Sequence, residues 1–238
     1  MSLQTPTLEK VLPQTDSFSG YFTDDPLKIS EIYRKNINIS IWQRELDSKL
    51  IQAGEYILQE NPELQLSEVV DPGNINEIMI KEFGSSKELL TFSNDISKIV
   101  NMFCNLFELK KVWLRLDAID QPMCPRFHAD NVKCRLVTTY IGPATQWLSH
   151  HKVNRAKLGH GNEGKTDAES GLFSKNSDIQ QLCPGHIALL KGESWDGNQG
   201  AGIVHRSPHE EGHYKRLYMT IDFVELYLRI YQNTLKGF

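Results

Sequence analysis

Arg216-Leu217-Tyr218-Met219-Thr220-Ile221-Asp222-Phe223 is the stretch that settles the kind of fold. Along a β-strand successive side chains point to opposite faces. Leu217, Met219, Ile221 and Phe223 therefore make an apolar face, and Arg216, Tyr218, Thr220 and Asp222 a polar one. The apolar face needs a cover, which helices in the first hundred residues supply. The polar face points to solvent or into a pocket. Val112, Leu114 and Leu116 against Arg115 and Asp117 repeat the division in an earlier strand. Several such strands together favour a polar cavity.

Upstream, Ile39, Trp42, Leu46, Leu50, Ile51, Ala53, Tyr56 and Ile57 recur at three- and four-residue steps, which predicts a helix ended by Asn61-Pro62. A short helix over 75–83 stops at Gly84, and Ser85-Ser86 offers the N-cap of another running from Leu89 to Phe107. At Lys111 the period changes to two. Strands are expected at 111–119, 126–130, 134–141, 186–191, 202–207 and 215–224. Helices first and strands afterwards argue for an α+β fold with a closed or sandwich-like β unit. The expected organisation is a loosely held arm over 1–25, a mainly helical layer over 26–108, and a β core over 109–238. The core carries a polar excursion at 149–178.

Composition bounds the class. A chain of 238 residues with 39% hydrophobic and 24% charged residues is globular rather than disordered. With 26 Lys and Arg against 30 Asp and Glu the net charge is −4, so nucleic acid is an unlikely partner. The opening MSLQTPTLEK has no apolar h-region, and no apolar run approaches a membrane span. A cytoplasmic location and no membrane association are expected. Four cysteines do not make a disulfide framework. Neither a G-x-S-x-G elbow nor a phosphate-binding glycine loop is present.

The chemistry points to Arg126-Phe127-His128-Ala129-Asp130. On a strand His128 and Asp130 project together, giving two of the three ligands of a 2-His-1-carboxylate site. Taken alone the pair also reads as a surface hydrogen bond. His205, in Gly202-Ile203-Val204-His205, either packs as a core histidine or completes the triad from another strand. Arg216 then offers a fork for a carboxylate, with Tyr218 and Thr220 as hydroxyl neighbours. Arg115, Asp117, Arg126, Asn131, Tyr140 and Trp147 are further candidates to line the pocket. An ion pair with Asp117 is the plainer reading of Arg126, and core packing that of Trp147.

The ordered set His128, Asp130, His205 and Arg216 resembles the signature of Fe(II)/2-oxoglutarate dioxygenases. That resemblance implies a double-stranded β-helix, or jelly-roll, core holding iron, with Arg216 on the distal carboxylate of 2-oxoglutarate. It also implies oxidation of a small molecule or peptide. The long separation of Asp130 from His205 makes 149–178 an insertion. A closer resemblance, over most of 120–224, is to the bacterial DUF1826 family. It rests on CPRFHADNVKCRLVTTYIGPATQWL, PGHIALLKGESWDGNQGAGIVHRSP and KRLYMTIDF. The chain departs from that family's pattern at Gln146, where an acidic residue is usual, and at His186, where Asp is common. The alternative is a cupin-like divalent-metal protein holding zinc in the same triad without 2-oxoglutarate. A cysteine-based zinc site from Cys124, His128, Cys134, Cys183 and His186 has irregular spacings and ranks below iron.

Overall fold

The computed structural model describes residues 18–208 and 214–228. The chain runs through β1 (Ser19–Thr23), a 3-10 helix (Pro26–Tyr33), β2 (Ile37–Trp42), α1 (Ser48–Glu60), β3 (Gln65–Val70), α2 (Ile75–Phe83) and α3 (Lys87–Leu106). It continues through β4 (Val112–Ile119), β5 (His128–Ala129), β6 (Cys134–Ile141) and β7 (Gln146–Leu148). Four short 3-10 turns between His150 and Asp178 lead to β8 (Ile179–Gln181), β9 (Ile187–Lys191), β10 (Val204–Arg206) and β11 (Arg216–Phe223). The architecture is mixed α and β, with two sheets. The larger has seven strands in the order β1-β2-β9-β6-β11-β4-β3, and the smaller has four in the order β5-β10-β7-β8. Only β1 and β2 pair in parallel among the described strands. From β4 onward the chain alternates between the sheets, staying in the smaller one only for the step from β7 to β8.

The alternation read in β11 is what the structure holds. Met219 lies opposite Leu116, and Ile221 opposite Leu114, on the face that meets the helices. Phe92, Ile96, Val100 and Phe103 of α3 close over it. Each such fully buried side chain contributes about 1.5–3 kcal/mol relative to exposure. On the other face Thr220 lies opposite Arg115, and Tyr218 opposite Asp117. A second apolar cluster joins the sheets, with Ile39, Ile41, Val137, Trp147, Ala188 and Leu190 among its members.

The N-terminal hundred residues differ from expectation. Three strands, β1, β2 and β3, lie among the helices and extend the large sheet. The helix expected from Ile39 is a strand to Trp42, and α1 begins at Ser48, capped by Asp47 accepting from the Leu50 amide. β2 is buried on both faces between β1 and β9, so Asn38 and Ser40 are as buried as Ile37, Ile39 and Ile41. Of the arm expected over 1–25, residues 1–17 lie outside the described residues, and 19–23 form β1. α2 and α3 stand where the periodicity placed them, and the Ser86 hydroxyl accepts from the Leu89 amide.

The 149–178 excursion is not merely solvated loop. Leu172 and Phe173 pack with Phe127, Leu148 and Val204 in a third apolar cluster against the small sheet. β7 and β8, which the sequence reading did not expect, flank it and pair with each other. All four cysteines are free. Among the described residues no helix is long and apolar enough to cross a membrane.

Candidate metal centre

β5 and β10 pair antiparallel with His128 directly opposite His205, and their ring centroids are 4.6 Å apart. Phe127 and Val204 pack in the outer cluster, while His128 and His205 project from the opposite face. Asp130 follows β5 on the same side. Its Oδ1 is 3.5 Å from His128 Nε2, and its Oδ2 is 3.5 Å from His205 Nε2. Among the described residues this is the one group of three or more His, Cys, Asp or Glu side chains whose ligand atoms converge, all within 4.8 Å of one another. No cysteine joins it, and Cys134 is instead fully buried in the main core.

The remaining ring nitrogens are fixed by backbone. His128 Nδ1 lies 2.9 Å from the Arg126 carbonyl, and His205 Nδ1 lies 3.3 Å from the Ile203 carbonyl. A carbonyl only accepts, so each Nδ1 carries the hydrogen and each Nε2 presents its lone pair toward Asp130. Burial pushes the His205 pKa down to about 4, so this ring is neutral near pH 7. Its Nε2 and Asp130 Oδ2 are then two acceptors facing each other, an arrangement that a cation resolves. Ligand atoms about 2.1 Å from a shared cation lie roughly 3.0–3.4 Å apart, close to the two 3.5 Å spacings between Asp130 and the imidazoles. The donor set fits a divalent metal.

The electrostatics are set by a relay of charges. Arg135 Nη1 donates to Asp130 Oδ2 at 2.6 Å, and Arg135 Nε donates to Asp222 Oδ1 at 2.8 Å. Arg115 Nη2 donates to Asp222 Oδ2 at 3.2 Å, and its Nε to Thr220 Oγ1 at 3.1 Å. Burial pushes Asp130 upward, but His128, His205 and Arg135 outweigh it and hold the carboxyl well below its ordinary range. Burial likewise opposes charge on His128, yet the facing Asp130 carboxylate and the Arg126 carbonyl favour the charged ring and raise its pKa. Asp222 is raised by burial despite both arginines.

A cavity of about 70 Å³ borders the triad, lined in part by Arg115, Asp117, Arg135, Thr145, Tyr218 and Thr220. It has room for about two waters and opens past the exposed Met123 and Cys124. Burial raises the Asp117 carboxyl there. Arg216 is 1% exposed and does not border this cavity. Its guanidinium lies 4.6 Å from the Tyr218 ring centre, and Nη2 donates to Thr139 Oγ1 at 3.3 Å.

Four candidate lining residues stand elsewhere. Tyr140 is on the helix-facing side of β6, its ring 4.6 Å from that of Phe92 and its hydroxyl donating to Asp95. Strand parity puts it opposite the cavity side. Trp147 is opposite His205 across β7 and β10 but is 3% exposed, within the inter-sheet cluster rather than on a rim. Asn131 is exposed and accepts from the Ser194 hydroxyl. Arg126 pairs with Asp167, not Asp117, at 3.7 Å. The sequence reading missed Arg135, whose signal was a charge at the inward parity of the apolar run 134–141. It also missed Asp167, whose Oδ2 accepts from the Phe127 amide at 2.9 Å and from Arg206 Nη1 at 3.3 Å.

Comparison with solved structures gives the class of fold. The rice dioxygenase for auxin oxidation aligns with a TM-score of 0.50 at 7% identity, covering 87% of this chain and 82% of its own. Neurospora crassa T7H, solved in complex with alpha-KG, aligns at 0.44 with 9% identity, covering 91% and 88%. A Pseudomonas putida prolyl-4-hydroxylase aligns at 0.43 with 9% identity, covering 83% and 98%. The chain thus shares the overall fold of the rice protein. It belongs to the family described as "Protein of unknown function (DUF1826)", whose model matches residues 23–222. No curated protein sequence matches it.

Proposed function

We propose that the chain is a non-haem Fe(II)- and 2-oxoglutarate-dependent dioxygenase that oxidises a small molecule or peptide. In this reading 109–238 is a double-stranded β-helix core with 149–178 inserted. Eight strands that alternate between two sheets support that description. The observation that carries the function is the convergence of two backbone-fixed imidazoles and one carboxylate, the donor set of an Fe(II) site with open positions. When bound, the iron and 2-oxoglutarate would supply the electrons that activate dioxygen, the oxidant of a substrate C–H bond.

The chain's own residues hold and orient. His128 and His205 are locked in the Nδ1–H tautomer, and Arg135 fixes the Asp130 carboxylate. Arg216, with Tyr218 and Thr220, is assigned to the distal carboxylate of the co-substrate. Tyr218 and Thr220 already border the cavity, and Arg216 lies behind the Tyr218 ring. A five-carbon diacid exceeds the 70 Å³ void, so its entry requires the lining side chains to turn aside.

The test is anaerobic addition of Fe(II) and 2-oxoglutarate to the metal-free protein. A visible metal-to-ligand charge-transfer band is expected, lost in His205→Ala and weakened in Arg216→Met. Tightly held zinc with no binding of 2-oxoglutarate would overturn this reading in favour of a cupin-like zinc protein.

A further inference from the structure

A cleft of about 750 Å³ lies away from the triad and shares no lining residue with its cavity. Its walls come from Tyr33 at the end of the 3-10 helix, Phe107 after α3, the 192–198 turn and Phe223 at the end of β11. Two features set it apart from an ordinary surface depression. The first is a connected set of aromatic rings. Trp195 lies 5.5 Å from Tyr33 and 6.1 Å from Phe107 between ring centres, and Phe107 lies 5.2 Å from Phe223.

The second feature is an excess of positive charge, three lysines against one acidic lining residue. Lys191 ends β9 at 1% exposure, and its Nζ donates to the Arg34 carbonyl at 2.9 Å and sits 4.8 Å from the Trp195 ring centre. These are neutral partners, and a buried ammonium held by neutral groups alone is costly. Burial accordingly lowers its pKa to about 8. Lys35 and Lys133 stand on the same walls, against Asp196 as the one acidic lining residue, and Lys133 Nζ also lies 3.8 Å from Glu225 Oε1. Asn198, 2% exposed on the same wall, has a buried Oδ1 with no hydrogen-bond partner. The volume is in the range of small-molecule sites, roughly 300–1,000 Å³.

We propose that this cleft is a second ligand site, for a planar organic anion. The ring lies against Trp195, Tyr33 and Phe107, and the carboxylate or phosphate meets the ammonium groups of Lys191, Lys35 and Lys133. Aromatic faces take any flat ring, and the lysines select for charge.

The experiment is calorimetric titration of the metal-free full chain with 2-naphthoate, 2-naphthyl phosphate and neutral 2-naphthamide. At least one anion is expected to bind about tenfold or more tighter than the amide, and the tighter anion identifies the head group. Lys191→Met and Trp195→Leu are each expected to weaken that binding about tenfold. His205→Ala leaves it unchanged, which separates this site from the triad. Should Lys191→Met fail to fold, the double variant Lys35→Met, Lys133→Met changes only exposed side chains and is expected to weaken binding in the same direction. Equal binding of amide and anions, binding indifferent to Lys191 and Trp195, or loss in His205→Ala overturns the proposal.

Discussion

Arg135 holds Asp130: Nη1 donates to Oδ2 at 2.6 Å while the other carboxylate oxygen, Oδ1, faces His128 Nε2 at 3.5 Å. The same guanidinium reaches Asp222, which is fully buried, so the acidic member of the triad is tied to the middle of the large sheet. Arg135→Met removes the tie and leaves Asp222 with Arg115 alone. The expected result is a loss of about 3 kcal/mol of stability and a 10- to 100-fold fall in Co(II) or Fe(II) affinity. Denaturant melts and metal titration read the two effects separately. Unchanged metal affinity would remove Arg135 from the site.

Asp167 plays the corresponding part from the 149–178 segment. It accepts from the Phe127 amide, one residue before His128, and pairs with Arg206, one residue after His205. Asp167→Ala is expected to cost about 2–4 kcal/mol and to weaken metal binding. Asp167→Asn keeps an acceptor for the amide and is expected to recover part of both, measured by thermal melting and metal titration.

Gly142, with φ of 84°, lets the chain turn beside the start of β11. A Cβ there would meet the Lys215 carbonyl oxygen at 2.2 Å and Arg216 Cγ at 3.1 Å. Gly142→Ala is therefore expected to destabilise by more than about 2 kcal/mol. Gly164, at φ of 78°, has nothing within 4 Å of its added Cβ. Gly164→Ala is expected to show only the backbone strain, about 1–2 kcal/mol. Comparing their melts isolates the clash with the Lys215 carbonyl and Arg216, and equal losses would contradict it.

Lys191 gives a pH signature. Its pKa in the folded chain is about 8, depressed from 10.5 by burial, so between those values the unfolded chain binds more protons. Stability is then expected to rise with pH across that window, by at most about 1.4 kcal/mol per unit. The groups near Lys191 are the Arg34 carbonyl, the Trp195 ring, the buried Cys134 thiol and the cleft's Lys35, Lys133 and Asp196. Lys191→Met should flatten this rise in urea melts run from pH 7.5 to 10. An equal rise in wild type and variant would assign it to another group.

The parts of the fold that could be read from sequence are those with a one-sided pattern. Leu217, Met219 and Ile221 have helices on one side and polar groups on the other, so alternation marks β11. α3 buries Phe92, Ile96, Val100 and Phe103 along one stripe, so its period is 3.6. β2 defeats the same reasoning. Ile37, Ile39 and Ile41 do alternate, but Asn38 and Ser40 are buried as well, and Ile39 and Trp42 mimic a helical step into Leu46. β7 and β8 are three residues each, too short for any period to show. At the site, the residue types and strand spacing of His128, Asp130 and His205 nominated them only together with Arg216 and the resemblance to the dioxygenase signature. Asp167 was not legible, because its bonds to 127 and 206 exist only once 149–178 folds back on the sheet.

β5 is two residues long and pairs with one strand, β10. Few ladder hydrogen bonds therefore oppose its local opening, and the two imidazoles face each other across that short pair. A cation shared by those rings and Asp130 would act as a cross-link between the two segments. Amide hydrogen exchange at 127–130 and 203–206 should then slow far more on metal loading than exchange in α3, which makes backbone protection a report on occupancy in the absence of any turnover.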